Sequence, residues 1–138
     1  MKKHWIDYNS KRCESPMTYW VHIETAGNRW RTADEFTPPM PKPTPGQGYS
    51  MYRVEIDRAD LRFASLDELR VCIATLSQKA MPSNMILSRK RGTGYGPSNH
   101  WLNRIPLRSM AWPYRQRVVK YLQAALTDFE SQTSRSRS

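Results

Sequence analysis

Residues 50–79 read SMYRVEIDRADLRFASLDELRVCIATLSQK, and this stretch decides the fold class. Its first eight residues alternate polar and apolar side chains, and the apolar face carries Tyr52, Val54 and Ile56. A period of two is typical of a strand with one buried face. The sequence therefore predicts a strand over residues 50–57.

The second half of this stretch predicts a helix. Ser65 and Glu68 have the spacing of a capping box, in which two side chains satisfy backbone N–H groups that the first helical turn leaves unbonded. Apolar residues follow at helical spacing, so residues 66–79 are predicted to be helical. Cys72 lies within the apolar stripe, which predicts a buried core thiol rather than a nucleophile.

The chain before this stretch predicts two further strands. Residues 18–25 alternate in the same way, a turn follows at 26–28, and residues 29–32 can return as the partner of a hairpin. Residues 1–17 are polar and mixed, and we expect them to be loosely ordered. Cys13 lies in this segment and is predicted to be more exposed than Cys72.

Residues 37–48 form a proline-rich connector. Five prolines occur at Pro38, Pro39, Pro41, Pro43 and Pro45. Such a run excludes helix and favours an extended, polyproline-II-like segment. A PxxP ligand for SH3-type domains is the functional alternative, whereas a stiff surface connection is the more common use.

The chain closes with a second predicted helix that Pro113 opens. Its apolar face is formed by Tyr114, Val118, Tyr121, Leu122, Ala125 and Phe129. Its opposite face is polar and basic, with Gln116, Arg117, Lys120, Gln123 and Thr127, so the helix is amphipathic. Residues 132–138 are too polar to pack and are predicted to be a disordered tail.

These elements predict an α+β fold in which a small antiparallel sheet of about three strands packs against two helices. A long, basic, glycine-containing loop, residues 85–111, connects the helices. The chain is then a single domain over residues 1–131, followed by the tail.

Charge is distributed unevenly along the chain. Lys and Arg number 22 against 12 Asp and Glu, a net charge of +10. The first 68 residues contain ten residues of each sign, whereas residues 69–127 contain ten basic residues and no acidic one. Because like charges repel, this concentration favours a polyanion-binding site over a merely solubilising surface.

The strongest candidate site is the run from Ser88 to Gly96, SRKRGTGYG. Arg89, Lys90 and Arg91 can neutralise phosphates, and glycines such as Gly92 and Gly94 let the backbone approach a phosphate closely. Tyr95 supplies a ring that can stack on a base. The run matches neither a Walker A loop nor a dinucleotide fingerprint. A flexible, solubilising loop is the alternative interpretation of this segment.

A second set of candidate cations surrounds and enters the last helix. It comprises Arg104, Arg108, Arg115, Arg117 and Lys120. Trp101, Trp112 and Tyr114 interleave with them, as aromatic and basic residues do in single-strand and RNA grooves. We expect the cations to contact phosphates and the tryptophans to anchor the loop to the core.

Catalysis is not expected. A metal-independent ribonuclease would use His22 or His100 as general acid and base, and His100 is the better placed because it lies beside the basic loop. The basic stretch has no clustered carboxylates, so no metal site and no cofactor are predicted. No apolar run is long enough to span a membrane, no secretory signal is apparent, and two cysteines form no disulfide framework, so we expect a cytoplasmic protein.

The sequence thus predicts a small basic nucleic-acid-binding protein whose acid-free C-terminal half contacts phosphates of DNA or RNA. One alternative is an inhibitor or assembly factor that docks on an acidic surface of a nucleic-acid-handling protein complex, as accessory proteins of mobile elements or anti-defence systems do. The other alternative is the ribonuclease that uses His100.

Overall fold

The computed structural model describes residues 2–11, 14–15, 17–24, 36–57, 59–78 and 111–137. The strands in these ranges are β1 (Lys2–Asn9), β2 (Ile23–Glu24), β3 (Phe36–Thr37), β4 (Tyr49–Ile56) and β5 (Ala59–Phe63). The helices are α1 (Thr18–Val21), α2 (Leu66–Leu76) and α3 (Trp112–Arg137). No helix in the described ranges is long and apolar enough to cross a membrane.

The main sheet is antiparallel, with β4 between β1 and β5. Val54 at the centre of β4 pairs with His4 on one side and with Leu61 on the other. Helices α2 and α3 contact each other and cover the sheet face that carries Val54. The fold is therefore α+β, with a three-stranded antiparallel sheet and two main helices, as the sequence predicts.

Strand β4 confirms the strand predicted over residues 50–57. Tyr52, Val54 and Ile56 are buried, with at most 5% of each exposed, and they face the helices. Met51 points to the opposite face of the sheet and is also buried, at 6% exposure. Arg53 and Glu55 share that face with Met51 and are only half-buried.

Strand β1 corrects the expectation that residues 1–17 are loosely ordered. It pairs with β4 along its whole length, from Lys2 opposite Ile56 to Asn9 opposite Tyr49. The alternation of β1 is hard to recognise in the sequence because a histidine, His4, occupies a core-facing position. The contacts that order this strand come from residues far away in the chain.

The segment Thr18–Glu24 differs from the strand predicted over residues 18–25. It begins as the short helix α1, and its last two residues pair with β3. The Thr18 hydroxyl accepts a hydrogen bond from the Ser15 N–H at 2.8 Å and donates to the Glu68 carboxylate at 3.1 Å, so a polar contact fixes the turn. The predicted return strand over 29–32 lies outside the described residues.

Helix α2 begins where the capping-box pattern predicts. Ser65 Oγ accepts a hydrogen bond from the Glu68 N–H at 3.2 Å. The carboxylate of Glu68 accepts from the Ala64 N–H at 3.0 Å, one residue earlier than in a standard capping box. The helix ends at Leu76, where the sequence predicts that it continues to residue 79.

The hydrophobic core lies between the sheet and helices α2 and α3. Its largest fully buried side chains include Phe63 of β5 and Phe129 of α3. Cys72 belongs to this core, and its burial raises the pKa of the thiol to about 12. This confirms the prediction of a core thiol, whereas Cys13 lies outside the described residues.

Helix α3 confirms the predicted amphipathic face. Val118, Leu122, Ala125 and Phe129 are fully buried, with at most 1% of each exposed. Tyr114 and Tyr121 are half-buried against the same core. The helix continues to Arg137, whereas the sequence predicts a disordered tail from Gln132.

The proline-rich connector contains no helix, as the sequence predicts. It ends in a tight turn in which the N–H of Thr44 donates to Gly48 O at 2.7 Å and the N–H of Gly48 donates to Thr44 O at 2.9 Å. Gly48 has a φ of 102°, and a Cβ at this position would collide with the carbonyl group of Asn9. Glycine is therefore required where the turn passes the end of β1.

Candidate functional site

Helix α3 presents two cations, Arg117 and Lys120, to solvent. They are three residues apart, so they are neighbours on the helix surface. Among the described residues, neither has a carboxylate within ion-pair distance. Arg117 and Lys120 are the sixth and ninth residues of α3, and the first turn of this helix holds no acidic residue. Two neighbouring like charges repel each other, and an anionic ligand relieves that repulsion.

An aromatic ring orients Arg117. Its guanidinium lies 5.8 Å from the centroid of the Tyr114 ring, which is a cation–π contact. The Tyr114 hydroxyl donates a hydrogen bond to Asp57 Oδ2 at 3.2 Å, which ties the ring to the end of β4. The cation is therefore supported by the fold before any ligand binds.

Lys2, at the start of β1, extends the same surface. Its Nζ lies 5.9 Å from the centroid of the Tyr121 ring, one helical turn after Arg117. We call Lys2, Arg117 and Lys120, together with the rings of Tyr114 and Tyr121, the basic patch. Sequence reasoning missed Lys2 because the strand that carries it was not predicted.

His4 joins β1 to α3 and so brings Lys2 to Tyr121. Its Nδ1 accepts a hydrogen bond from the Tyr121 hydroxyl at 2.7 Å, and its Nε2 donates to Asp128 Oδ2 at 2.8 Å. Burial and the charge of Asp128 raise the pKa of Tyr121, so its hydroxyl keeps the proton that it donates. The His4 ring also lies edge-on to Phe129, with the ring centroids 5.3 Å apart.

Several cations elsewhere on the described surface are neutralised by carboxylates. The pairs are Lys3 with Glu55 at 3.9 Å, Arg53 with Asp7 at 2.8 Å and Asp60 at 2.5 Å, and Arg70 with Asp67 at 3.4 Å and Glu130 at 3.1 Å. Asp57 and Asp128 border the basic patch, but they accept hydrogen bonds from Tyr114 and His4. Within the part of the chain that the structure describes, the three cations of the patch are exposed, and none has a carboxylate within ion-pair distance.

Arg115 departs from the expectation that it contacts phosphates. It is only 4% exposed, and its Nη1 donates to the backbone carbonyls of Leu76, at 3.4 Å, and Gln78. Its guanidinium also lies 5.1 Å from the centroid of the Trp112 ring. A cation at the C-terminal carbonyls of α2 stabilises that helix, so Arg115 serves packing and is not part of the basic patch.

The remaining predicted site residues fall outside the described part of the chain. They are Arg89, Lys90, Arg91, Gly92, Gly94, Tyr95, Arg104 and Arg108. His100, the candidate general acid and base, also lies there. The structure thus brings two of the eleven predicted contact residues, Arg117 and Lys120, together on a solvent-facing surface, and it places a third, Arg115, in the interior.

His22 lies in a fully buried polar cluster, which excludes it as a solvent-facing catalyst. Its Nδ1 donates to the carbonyl of Pro38 at 2.7 Å, and its Nε2 lies 2.7 Å from Ser65 Oγ and 3.3 Å from Glu68 Oε2. Burial opposes the charge of the imidazole, but the hydrogen bonds with Glu68 and Pro38 outweigh it, so the pKa of His22 is raised.

Glu68 is the centre of this buried cluster. Its carboxylate accepts hydrogen bonds from the hydroxyls of Ser15, Thr18 and Ser65 and from the Ala64 N–H, and none of its surface is exposed. The acceptor capacity of a buried carboxylate is thus well satisfied. The cluster ties α1 to the start of α2, and its role is structural.

The sheet face opposite the helices differs from the basic patch in its charge. The Trp5 ring lies 5.3 Å from Lys3 Nζ and 5.3 Å from the Arg53 guanidinium, measured from the ring centroid. A groove of about 460 Å³ adjoins this face and is lined by Asp7, Tyr8, Asn9, Glu14, Met51, Arg53 and Arg62. Because acidic residues alternate with the cations here, this face is not strongly basic.

Within the described ranges, no group of three His, Cys, Asp or Glu side chains is arranged to hold a metal ion. Comparison of the chain with protein-family models, with curated proteins and with solved structures returns no match. A function for this protein must therefore be argued from its own residues.

Proposed function

We propose that this protein binds nucleic acid and that the basic patch supplies a preformed part of the binding surface. The observation that carries the proposal is the exposure of Arg117 and Lys120 on a helix whose first turn has no acid. Lys3 and Arg70 show the contrast, since both pair with carboxylates. Phosphate is the ligand that such a concentration of cations favours.

Part of the acid-free stretch 69–127 supplies the rest of the proposed surface. Eight of its residues remain proposed contacts: Arg89, Lys90, Arg91, Gly92, Gly94, Tyr95, Arg104 and Arg108. The first six combine charge, close backbone approach and a stacking ring in one run of sequence. Arg115 is no longer included, because its guanidinium is buried against the end of α2.

We propose binding rather than catalysis, and a cytoplasmic location. The burial of His22 removes one of the two histidines that a metal-independent ribonuclease could use. The buried thiol of Cys72 is compatible with a reducing compartment.

The proposal is tested by fluorescence-polarisation titration of the protein against single- and double-stranded DNA and RNA at two salt concentrations. The decisive variant is Arg117→Gln/Lys120→Gln, which removes two charges of the patch. Arg70→Gln/Lys42→Gln is the matched control, because it removes the same charge from exposed positions outside the patch. We expect the first variant to bind more weakly and the control to bind nearly as the unmodified protein does.

A second candidate function is docking on a protein that handles nucleic acid, as an inhibitor or assembly factor. The observation that favours it is Trp5 between Lys3 and Arg53 on the sheet face that α2 and α3 leave uncovered. Tryptophan and arginine dominate binding energy at protein interfaces. Failure of the unmodified protein to bind any bare nucleic acid in the titration would favour this function over the first.

A further inference from the structure

The two tyrosines of the basic patch are already engaged by the fold. Tyr114 and Tyr121 pack against the hydrophobic core, and a cation lies over each ring. Their hydroxyls bond Asp57 and His4. A base that stacks requires an exposed ring face, and a base that is recognised by its edge requires an available donor or acceptor. In this arrangement the rings support the cations instead of contacting bases.

The cations over these rings are held at the protein surface. Base edges lie at the floor of the major groove, about 8.5 Å deep, whereas phosphates line its rim. Lys2 and Arg117, which are drawn toward Tyr121 and Tyr114, are therefore better placed for phosphates than for base edges. Phosphate contacts position a protein on a duplex without carrying sequence information.

We infer that the basic patch recognises the sugar–phosphate backbone of a nucleic-acid duplex and does not discriminate between bases. This inference rests on the proposed function and names its substrate class. A duplex is favoured over a single strand because its axial charge density is higher, about one charge per 1.7 Å, and more counterions are released per contact.

His4 is a positioning residue in this account. It contacts no ligand itself, but its bonds to Tyr121 and Asp128 hold β1 against α3, and so hold Lys2 over the Tyr121 ring. A histidine that acted only on overall stability would lower affinity regardless of the residue at position 2. If His4 acts by positioning Lys2, replacing His4 should have no further effect on affinity in a chain in which Lys2 has already been replaced.

The test uses the full chain and two labelled DNA duplexes of equal length and unrelated sequence, together with one of their single strands. The expected result is that the duplexes bind within about two-fold of each other and the single strand binds more weakly, because backbone contacts carry no sequence information. Binding that discriminates strongly between the duplexes, or that favours the single strand, would overturn the inference and leave the proposed function intact. Failure to bind any of the three, and also the RNA duplex and RNA single strand of the same sequence, would overturn both.

The salt dependence of duplex binding tests whether the cations of the basic patch contact the phosphates. We plot the logarithm of the binding constant against the logarithm of the salt concentration. For the variant Lys2→Gln/Arg117→Gln/Lys120→Gln, the slope of this plot should become shallower by about 2.7, because each phosphate contact on a duplex contributes about 0.9. The control Lys42→Gln/Arg62→Gln/Arg70→Gln removes the same charge outside the patch and should keep the slope. Equal slopes for the two variants would contradict the inference.

A double-mutant cycle tests the role of His4. We expect His4→Ala to weaken duplex binding about as much as Lys2→Gln does, and the two changes together to cause no additional loss. Additive losses would show that His4 does not act through Lys2. Thermal denaturation of each variant identifies any that are partly unfolded at the assay temperature.

Discussion

Replacement of Glu68 by Gln should be strongly destabilising, because this residue is the centre of the buried polar cluster. The change keeps the shape of the side chain but removes the charge that faces His22, whose Nε2 lies 3.3 Å away. Removing one partner of a buried ion pair costs about 3–5 kcal/mol. Because Gln keeps one oxygen for the Ala64 N–H, we expect the lower end of this range, about 3 kcal/mol of unfolding free energy.

Urea denaturation measures this loss, and thermal denaturation should show a Tm lower by roughly 10 °C. The neighbouring substitution Asp67→Asn is the control, since Asp67 forms only a partly exposed pair with Arg70 at 3.4 Å and should cost about 0.5 kcal/mol or less. If Glu68→Gln were no more destabilising than Asp67→Asn, the reasoning that Glu68 supports the fold would be refuted.

The pH dependence of stability gives an independent test of the same pair. The pKa of His22 in the folded protein is raised above its ordinary value of 6.5. Its contribution to stability is therefore fully present below pH 6.5 and is lost as the pH rises through the higher folded value. The difference in unfolding free energy between the unmodified protein and Glu68→Gln should therefore become smaller as the pH rises through this range. A difference that stays constant with pH would contradict the raised pKa of His22.

Three further outcomes are expected. Gly48→Ala should cost about 2 kcal/mol of unfolding free energy, because a Cβ there collides with the carbonyl group of Asn9. Gly46→Ala has open space around it and should cost about 1 kcal/mol. Equal losses of unfolding free energy in urea denaturation would contradict this difference. Arg115→Met should lower stability by about 2 kcal/mol and leave nucleic-acid affinity of the folded protein unchanged, and a loss of affinity in polarisation titrations would return Arg115 to the binding surface. Tyr95→Ala should weaken single-strand binding by about 1–3 kcal/mol and leave duplex binding almost unchanged, and the reverse pattern would exclude stacking by Tyr95.

The parts of the fold that local patterns determine were predictable from the sequence. Strand β4 and helix α2 follow from period-two alternation and from the spacing of Ser65 and Glu68, which are short-range signals. The apolar face of α3 was predictable for the same reason. The ends of the helices were less predictable from the sequence. Helix α2, for example, ends where Arg115 donates a hydrogen bond to the carbonyl of Leu76, and Arg115 lies 39 residues further along the chain.

The parts that depend on distant contacts were not predictable. Strand β1 is ordered by pairing with β4 and by the bonds of His4 to Tyr121 and Asp128, which lie 117 and 124 residues further along the chain. Strand β5 alternates clearly, with Leu61 and Phe63 buried, but its five residues are a short signal between two stronger ones.

The candidate site shows the same division. Arg117 and Lys120 were identifiable from the polar face of an amphipathic helix. Lys2 could not be identified from the sequence, because only the tertiary fold brings the start of the chain to Tyr121. Conversely, Arg115 looked like a contact residue because charge alone does not reveal that a guanidinium is buried against backbone carbonyls.

The most direct test of the central claim is the salt dependence of binding by the unmodified protein to a DNA or RNA duplex. We expect measurable affinity at low salt and a log–log slope of roughly −3 to −6, which corresponds to about four to six phosphate contacts by the basic patch and the acid-free stretch. A slope near zero, or no binding at low salt, would contradict the account that the cations of this protein bind nucleic acid.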